Sequence, residues 1–398
     1  MEKKLSNFSQ FLLWFGAAVS IAEILTGALI APLGLKRGII AIFIGHIIGG
    51  IIFYAAGFIG AKSKLSAIES TRISFGKYGS YLFSILNIMQ LLGWTAVMII
   101  NGSKAFDVGT KYIMNFQNEI LWCILIAILI AIWIIVGVSN LSKINIVAVG
   151  ALFVFTMILG ITVFGTGSGE YMGTDMMTFG AAVELSAIMP LSWLPLISDY
   201  TRNLKNEKSG TLVSALGYFI GSTFMYIIGL GASLFAGTSD ITEILLLAGL
   251  GFVALIIVLF STVTTTFLDV YSAGVSFVNI NNKVSEKIAA LVVCFLGMLM
   301  AIFIPITQYE NFLYLIGSVF APLFAILITD YFILNNKSVN ENNNINIKNT
   351  VIWLIGIIGY RKFMPYNSPL GITLPVMLGI SIICILINGG MKLCLKKS

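Results

Sequence analysis

The sequence predicts an all-α integral membrane protein with twelve transmembrane helices, of which ten form a five-plus-five inverted repeat and two follow at the C-terminal end. Of the 398 residues, 58% are hydrophobic and only 10% are charged. Soluble domains average about 25% charged residues, so the composition excludes a soluble protein. Apolar runs of about 20 residues, the length that crosses a bilayer, recur along the chain.

The apolar runs divide the chain into segments joined by polar stretches. Their approximate bounds are 9–32, 36–60, 79–102, 119–138, 144–165, 179–199, 210–236, 244–268 (or on to 280), 287–306, 311–334, 349–360 and 369–390. We expect a transporter core over 1–334, with repeat one at about 9–165 and repeat two at about 179–334. An Asn-rich stretch, 335–350, is predicted to be a cytoplasmic linker, and 351–398 supplies two additional helices and a cytoplasmic tail.

The distribution of basic residues predicts that both termini lie in the cytoplasm. With that orientation, the cytoplasmic loops and termini hold 17 of the 23 Lys and Arg residues. The positive-inside rule supports this orientation, and we expect a multi-pass protein of the cell membrane. The net charge of +6 is therefore interpreted as a signal for orientation in the membrane, and not as a sign of a nucleic-acid partner. The four cysteines have no paired spacing, which argues against a disulfide framework or a metal site.

The first segment is a poor plain spanning helix. Gly16, Ser20, Glu23 and Gly27 follow i, i+4, i+7, i+11 spacing and would share one helical face. A charged group at the centre of a spanning helix costs about 2.5–3.5 kcal/mol and normally faces a protein interior or a cavity. This face either lines a binding site or packs its glycines against another helix.

The sixth segment contains two prolines, Pro190 and Pro195, which flank Ser192 and Trp193. A proline inside a helix removes a backbone donor, and an ion or a substrate can bind the carbonyl groups that are released. In an inverted repeat of five and five, segments 1 and 6 correspond, and such transporters carry broken helices at matching positions. The alternative is an ordinary proline kink.

The eighth segment carries one continuous polar stripe. Its members are Ser261, Thr264, Thr265, Asp269 and Ser272. A single Ser or Thr in a spanning helix usually bonds back to a carbonyl one turn earlier, but five polar residues exceed that need. Hydroxyl and carbonyl oxygens are the ligands that small hard cations take. We expect Thr264 and Thr265 to meet carbonyls released where segment 1 unwinds.

The third segment places Asn87, Gln90, Trp94 and Asn101 along one face. An amide beside a Trp suits a planar, hydrogen-bonding ligand, although a Trp packed between helices is the alternative. The single histidine, His46, is interpreted as a packing and hydrogen-bonding residue before a proton relay.

Chemistry of other kinds has little support in the sequence. Glu184, in the outer half of segment 6, is a candidate for an outer vestibule. We find no phosphate loop, no metal-ligand cluster and no nucleophile–base arrangement. An intramembrane enzyme is therefore disfavoured, and no catalytic residue is predicted.

These residues resemble the nucleobase–cation symporters, a family that includes cytosine and hydantoin permeases. The resemblance is carried by WFGAAVSIAEILTGA, LGWTAVM, SDYTRN, FSTVTTTFLDVYSAG, ITDYF and GITLPVML. Within the family the sequence is most similar to the hydroxymethylpyrimidine permeases, which import the pyrimidine precursor of thiamine. The resemblance implies the leucine-transporter-like fold, a five-plus-five repeat with two extra helices.

The resemblance also implies a sodium site at the break in segment 1. Its matching positions here are the carbonyls of Gly16, Val19 and Ser261 and the hydroxyls of Thr264 and Thr265. Sodium is the implied coupling ion, with a proton as the alternative.

For the substrate, the resemblance implies a flat heterocycle stacked on Trp94, with the amide of Gln90 one turn earlier. The second aromatic wall comes from the break in segment 6, where Pro190 stands at the matching position and Trp193 follows three residues later. Ser20 and Ser192 would contact the edges of the substrate.

Glu23 and Asp269 are the expected determinants of specificity. An aminopyrimidine presents an exocyclic amine beside a ring nitrogen, and a carboxylate is a strong acceptor for such an edge. One of the two would pair with this edge, or would serve as a protonatable coupling group.

The implied function is Na⁺-coupled import of hydroxymethylpyrimidine by alternating access. A cytosine or purine permease of the same family, driven by protons, is the nearest alternative. A channel or a non-transporting membrane receptor is an alternative of another class. The expected partners are a small pyrimidine and the lipid bilayer, without nucleic acid. The oligomeric state is left open, and a monomer is compatible with the sequence.

Overall fold

The computed structural model describes residues 6–136, 176–237, 251–304, 309–366 and 368–389, with further positions between 150 and 165. The predicted fifth segment, 144–165, lies largely outside the described residues. Within them the regular structure is helical. In chain order the helices are α1 Asn7–Ala18, α2 Ile21–Leu29, α3 Leu35–Ser63, α4 Ala67–Ser70, α5 Arg72–Met114, α6 Glu119–Val136, α7 Phe179–Ser192, α8 Leu194–Thr201, α9 Glu207–Ala236, α10 Gly251–Ile280, α11 Glu286–Phe303, α12 Tyr309–Ile328, α13 Ile347–Phe363 and α14 Thr373–Cys384.

In the part of the chain that the structure describes, eight helices are long and apolar enough to cross a membrane, or nine if the bent pair at the N-terminal end is counted as one span. The count of twelve and the inverted repeat therefore stay predictions. The helices α6 and α11 bury little of their apolar surface in the protein, as lipid-facing helices do. In the interior, α3 packs against α7, α9 packs against α1, α2 and α3, and α10 packs against α5.

The first segment is broken where its glycine and serine residues predict a site. Helix α1 ends at Ala18, and Ser20 is extended at φ −138° and ψ 160° before α2 begins at Ile21. The two pieces meet at 53°. The single continuous face predicted for this segment is therefore wrong, because the helical phase restarts after the break.

Both interpretations of that face apply, each to different residues. A Cβ at Gly27 would collide with the backbone of Tyr226, so this glycine lets α2 lie directly against α9. Ser20 and Glu23, in contrast, line a cavity.

The interruption in the sixth segment is smaller than predicted. Trp193 alone separates α7 from α8, and its φ of −91° and ψ of −4° are close to helical values. The span Phe179–Thr201 stays a single, almost entirely buried helix without the sharp bend of the first segment. The carbonyl of Ser192 accepts a hydrogen bond from Gln90 (3.3 Å), and the carbonyl of Pro195 accepts one from Asn87 (3.4 Å). Side-chain amides of α5 thus bond to carbonyls on either side of the kink.

The Asn-rich stretch is fastened to α5 at the kink in that helix. Gly76, at φ 76°, takes a backbone conformation that side chains disfavour. Beside it, the amides of Lys77 and Tyr78 donate to the carbonyls of Asn343 (3.2 Å) and Asn344 (2.8 Å). This pairing holds the stretch that precedes α13 against the core.

Candidate functional site

A cavity lies where the break between α1 and α2 meets α5, the kink between α7 and α8, and α10. Six of the seven predicted substrate residues line it: Ser20, Glu23, Trp94, Ser192, Trp193 and Asp269. The space inside it that water can enter is only about 20 Å³, so the cavity is narrow in this conformation.

Two indole rings form aromatic walls of this cavity. Trp94 is held by edge-to-face contacts with Tyr309 and Phe312, at centroid distances of 6.0 and 5.4 Å. Trp193 packs edge-to-face against Trp14 at 5.7 Å. Pro190, the other residue considered for the second wall, packs on α3 beside Gly49 instead. Trp193 is thus the aromatic residue that the kink of the sixth segment brings to the cavity.

Asp269 is the most unusual polar group of the cavity. Its residue is only 4% exposed, yet its carboxylate makes no hydrogen bond to any residue that the structure describes. An uncompensated buried charge costs several kcal/mol, so a group of this kind is expected to meet a ligand. Ser20 also makes no side-chain hydrogen bond within the described residues, whereas the hydroxyl of Ser192 donates back to Met189 O (2.7 Å).

Gln90 lies one layer behind the cavity wall. Its Nε2 donates to Asn87 Oδ1 (2.8 Å) and to Ser192 O, while its Oε1 is buried without a partner among the described residues. Asn87 in turn donates to Ser276 Oγ (2.8 Å). The amide network positions the kink of the sixth segment and leaves one unmet acceptor near the cavity.

Glu23 faces the cavity at one side and a buried hydrogen-bond network at the other. Its Oε1 accepts from the hydroxyl of Tyr218, and its Oε2 accepts from the hydroxyl of Ser222, each at 2.7 Å. Ser222 Oγ is also 2.6 Å from His46 Nε2, and His46 Nδ1 is 2.8 Å from Ile42 O. We call the connected set Glu23–Ser222–His46 the relay.

Two of the five residues predicted to hold a cation, Val19 and Ser261, are in contact at the break in the first segment. The hydroxyl of Ser261 donates to Val19 O (3.0 Å), which ties α10 to the break. The amide of Ser20 donates to Ala18 O (2.9 Å), and not to the Gly16 carbonyl one turn away. That carbonyl is thereby released from the helical pattern.

The two threonines of α10 differ in their partners. Thr264 bonds back to Phe260 O (2.8 Å), as an isolated threonine does, whereas Thr265 Oγ1 is buried without a partner among the described residues. The released carbonyl of Gly16 and the unpartnered hydroxyl of Thr265 are the kind of oxygen ligands that hard cations bind. The residues present therefore fit a small cation such as Na⁺.

Glu184 does not form an outer vestibule. Its carboxylate accepts from the hydroxyl of Tyr360 (2.6 Å), the backbone amides of Ile372 (2.6 Å) and Thr373 (2.7 Å), and the hydroxyl of Thr373 (2.7 Å). All of these donors belong to the C-terminal part of the chain, at α13 and the start of α14. This carboxylate is fully used in attaching that part to α7.

Comparisons with known proteins agree with this architecture. The model of the family of permeases for cytosine/purines, uracil, thiamine and allantoin matches residues 2–362. The cytosine permease of Escherichia coli (strain K12) is 26% identical over 300 residues, which cover 73% of this chain and 69% of that protein.

Solved structures share the fold. Mhp1, a nucleobase-cation-symport-1 family transporter in a closed conformation with bromovinylhydantoin bound, superposes with a TM-score of 0.80 at 18% identity, over 98% of this chain and 94% of that one. A Na⁺-coupled sialic acid symporter in a substrate-bound outward-open state gives 0.64 at 16% identity, over 97% and 90% of the two chains. This multi-pass chain therefore belongs to the family of permeases for cytosine/purines, uracil, thiamine and allantoin, and it is a transporter and not an enzyme.

Proposed function

We propose that this permease imports a small aminopyrimidine, with hydroxymethylpyrimidine as the first candidate, across the cytoplasmic membrane by alternating access coupled to Na⁺. The observation that carries the proposal is the unpartnered carboxylate of Asp269 in a small cavity walled by Trp94 and Trp193. The proposal includes both termini in the cytoplasm and the five-plus-five repeat with two additional helices.

The polar groups of the cavity favour a ligand that donates hydrogen bonds. The carboxylate of Asp269 can only accept, and it lines the cavity. An exocyclic amine beside a ring is a donor that a carboxylate binds strongly. The flat faces of a pyrimidine would lie against the indoles. Compounds that carry this amine, such as hydroxymethylpyrimidine and cytosine, are therefore favoured over uracil.

A cation would be held by the carbonyls of Gly16, Val19 and Ser261 and by the hydroxyls of Thr264 and Thr265. It would supply a positive charge that holds the break in the first segment to α10. Because Thr265 also lines the cavity, the cation and the substrate would favour the same loaded state. This linkage is what coupled transport requires.

A cytosine permease is the second candidate function. The relative from E. coli bears that name, and cytosine carries the same kind of exocyclic amine on the same six-membered pyrimidine ring. Hydroxymethylpyrimidine is ranked first on the resemblance of motifs such as FSTVTTTFLDVYSAG to the permeases for that compound. Direct competition between the two compounds decides between the candidates.

The test uses the purified protein in detergent and in proteoliposomes. We expect hydroxymethylpyrimidine and cytosine to raise the thermal unfolding midpoint more than uracil or hypoxanthine, and more in Na⁺ than in K⁺. In proteoliposomes, an inward Na⁺ gradient should drive saturable accumulation above the external concentration, which a channel or a receptor cannot produce. Absence of stabilisation by all four compounds would contradict the proposed function.

A further inference from the structure

The relay joins the single histidine of the chain to the wall of the cavity. Glu23 and His46 are each 1% exposed, and Ser222 is fully buried. Glu23 comes from α2, Ser222 from α9 and His46 from α3, so three helices meet in one line of hydrogen bonds. What the relay can do depends on how many protons its three side chains hold.

A count of donors and acceptors fixes that number. The Ile42 carbonyl can only accept, so His46 Nδ1 must carry a proton. If Glu23 were ionised and His46 neutral, the carboxylate Oε2 and the imidazole Nε2 would both be acceptors facing Ser222. Ser222 has one proton and cannot donate to both at 2.7 and 2.6 Å.

One more proton satisfies the relay completely. Placed on Glu23, it lets the carboxyl group donate to Ser222, which then donates to His46. Placed on His46, it lets the imidazolium donate to Ser222, which then donates to Glu23. In either arrangement the relay is electrically neutral overall, and each short contact has one donor and one acceptor.

The surroundings favour the neutral form. The titratable groups that face Glu23 are Tyr218 and Tyr226 from α9, His46 from α3, Asp269 from α10 and Tyr309 from α12. In the described part of the chain, the ion pairs that Lys and Arg form with carboxylates involve other acids, towards the ends of the helices.

Without the extra proton, the same cavity would hold two anionic carboxylates, Glu23 and Asp269, with no positive partner. Removing a buried charge of this kind from water costs several kcal/mol. The proton therefore either neutralises Glu23 directly or offsets its charge with a positive charge on His46.

We propose that the relay is a proton-binding site and that substrate binds to the form in which the relay holds its proton. The proposal rests on the proposed function, since the link runs through the cavity that Glu23 lines. Substrate binding and relay protonation then stabilise each other, which makes H⁺ a co-substrate in addition to the cation at the helix break.

The Glu23→Gln variant has the same hydrogen-bond donors and acceptors as protonated Glu23. Its side-chain amide can donate to Ser222 while its oxygen accepts from Tyr218, with no proton to release. We expect this variant to bind substrate with the same affinity at all pH values and to exchange labelled for unlabelled substrate. Accumulation driven by a pH gradient should be lost.

The matched control is Tyr226→Phe. The hydroxyl of Tyr226 donates to Leu185 O (3.0 Å), and its ring lies 4.7 Å from the His46 ring, so it adjoins the relay without a hydrogen bond to it. This variant should keep the pH dependence of the parent.

The experiment measures binding and uptake of labelled hydroxymethylpyrimidine and cytosine between about pH 6 and pH 9. For one linked proton, affinity in the parent should fall by up to about tenfold per pH unit on the alkaline side. A pH-sensitive dye inside the proteoliposomes should report acidification when substrate enters.

Two results would overturn the relay while leaving the proposed function intact. One is an identical pH profile for the parent and Glu23→Gln, and the other is Na⁺-driven uptake of substrate without any change in internal pH. If neither compound binds to the parent at any pH, the proposed function fails, and the relay proposal fails with it.

Discussion

Two buried carboxylates, Glu184 and Asp269, show how differently this protein treats the same chemical group. Glu184 is 0% exposed and accepts four hydrogen bonds from the C-terminal part of the chain. Asp269 is 4% exposed and accepts none from any described residue. Burial alone therefore does not mark a functional site, whereas an unmet hydrogen-bonding capacity does.

Glu23 stands between these two cases. It has two hydrogen-bond donors, but one of them, Ser222, is shared with His46. Its surroundings are complete only when a proton is present. Glu184 is thus a structural residue with all its hydrogen bonds made. Glu23 needs a proton to complete its hydrogen bonds under our proposal, and Asp269 has none among the described residues.

The largest effect on stability is expected from Glu184→Ala. The change leaves four buried donors without an acceptor, and each unsatisfied donor costs about 1–3 kcal/mol. We expect the free energy of unfolding to fall by at least about 3 kcal/mol, seen as a lower unfolding midpoint in detergent. Glu341→Ala, at an exposed position, is the control and should leave the midpoint unchanged. An unchanged midpoint for Glu184→Ala would show that Glu184 does not hold the C-terminal part of the chain in place.

The largest effect on binding is expected from Asp269→Asn. A hydrogen bond to a charged group contributes about 1.5–3 kcal/mol, so the affinity for an aminopyrimidine should fall about 10- to 100-fold. Stability should hold or rise, because an unpaired buried charge is removed. Calorimetric titration and thermal unfolding measure the two quantities.

Asp107→Asn is the matched control for that experiment. Asp107 accepts hydrogen bonds from the amide of Asn118 (2.6 Å) and from Gln117 (3.3 Å) at the far end of α5. This substitution should not change substrate affinity. A loss of stability without a loss of affinity in Asp269→Asn would place Asp269 with Glu184 as a structural residue.

A smaller effect is expected from Thr265→Val. The orphaned hydroxyl is lost while the shape of the side chain is kept, so the Na⁺ concentration for half-maximal uptake should rise about tenfold, or about 1.4 kcal/mol. The neighbouring Thr266 bonds back to Thr262 O (2.6 Å), and Thr266→Val should leave the Na⁺ dependence unchanged. Equal effects of the two substitutions would remove Thr265 from the proposed cation site.

Much of the cavity could be predicted from the sequence because its signals are local. Glu23 and Ser20 in a glycine-interrupted apolar run, and Asp269 on a polar stripe, stand out against neighbours that are almost all hydrophobic. The break in the first segment is confirmed for the same reason. The role of each residue stays a proposal.

The remaining features depend on residues that are distant in the sequence. Ser222 and His46 are 176 positions apart, as are Glu184 and Tyr360, and no spacing rule connects them. The sixth segment bends less than its prolines predict, and two amides of α5 bond to carbonyls on either side of its kink. A histidine interpreted as a packing residue, and an acid placed in a vestibule, could be assigned only once their partners were known.

The hydrogen bonds from Lys77 and Tyr78 to Asn343 and Asn344 make the Asn-rich stretch a fixed connection and not a flexible spacer. Low-complexity loops usually tolerate changes in length, but this one has a fixed register at its α5 end, where the amide of Asn346 also donates to Phe75 O (3.0 Å). A one-residue insertion here would misalign the connection along α5. The polar composition of the stretch therefore conceals a length constraint.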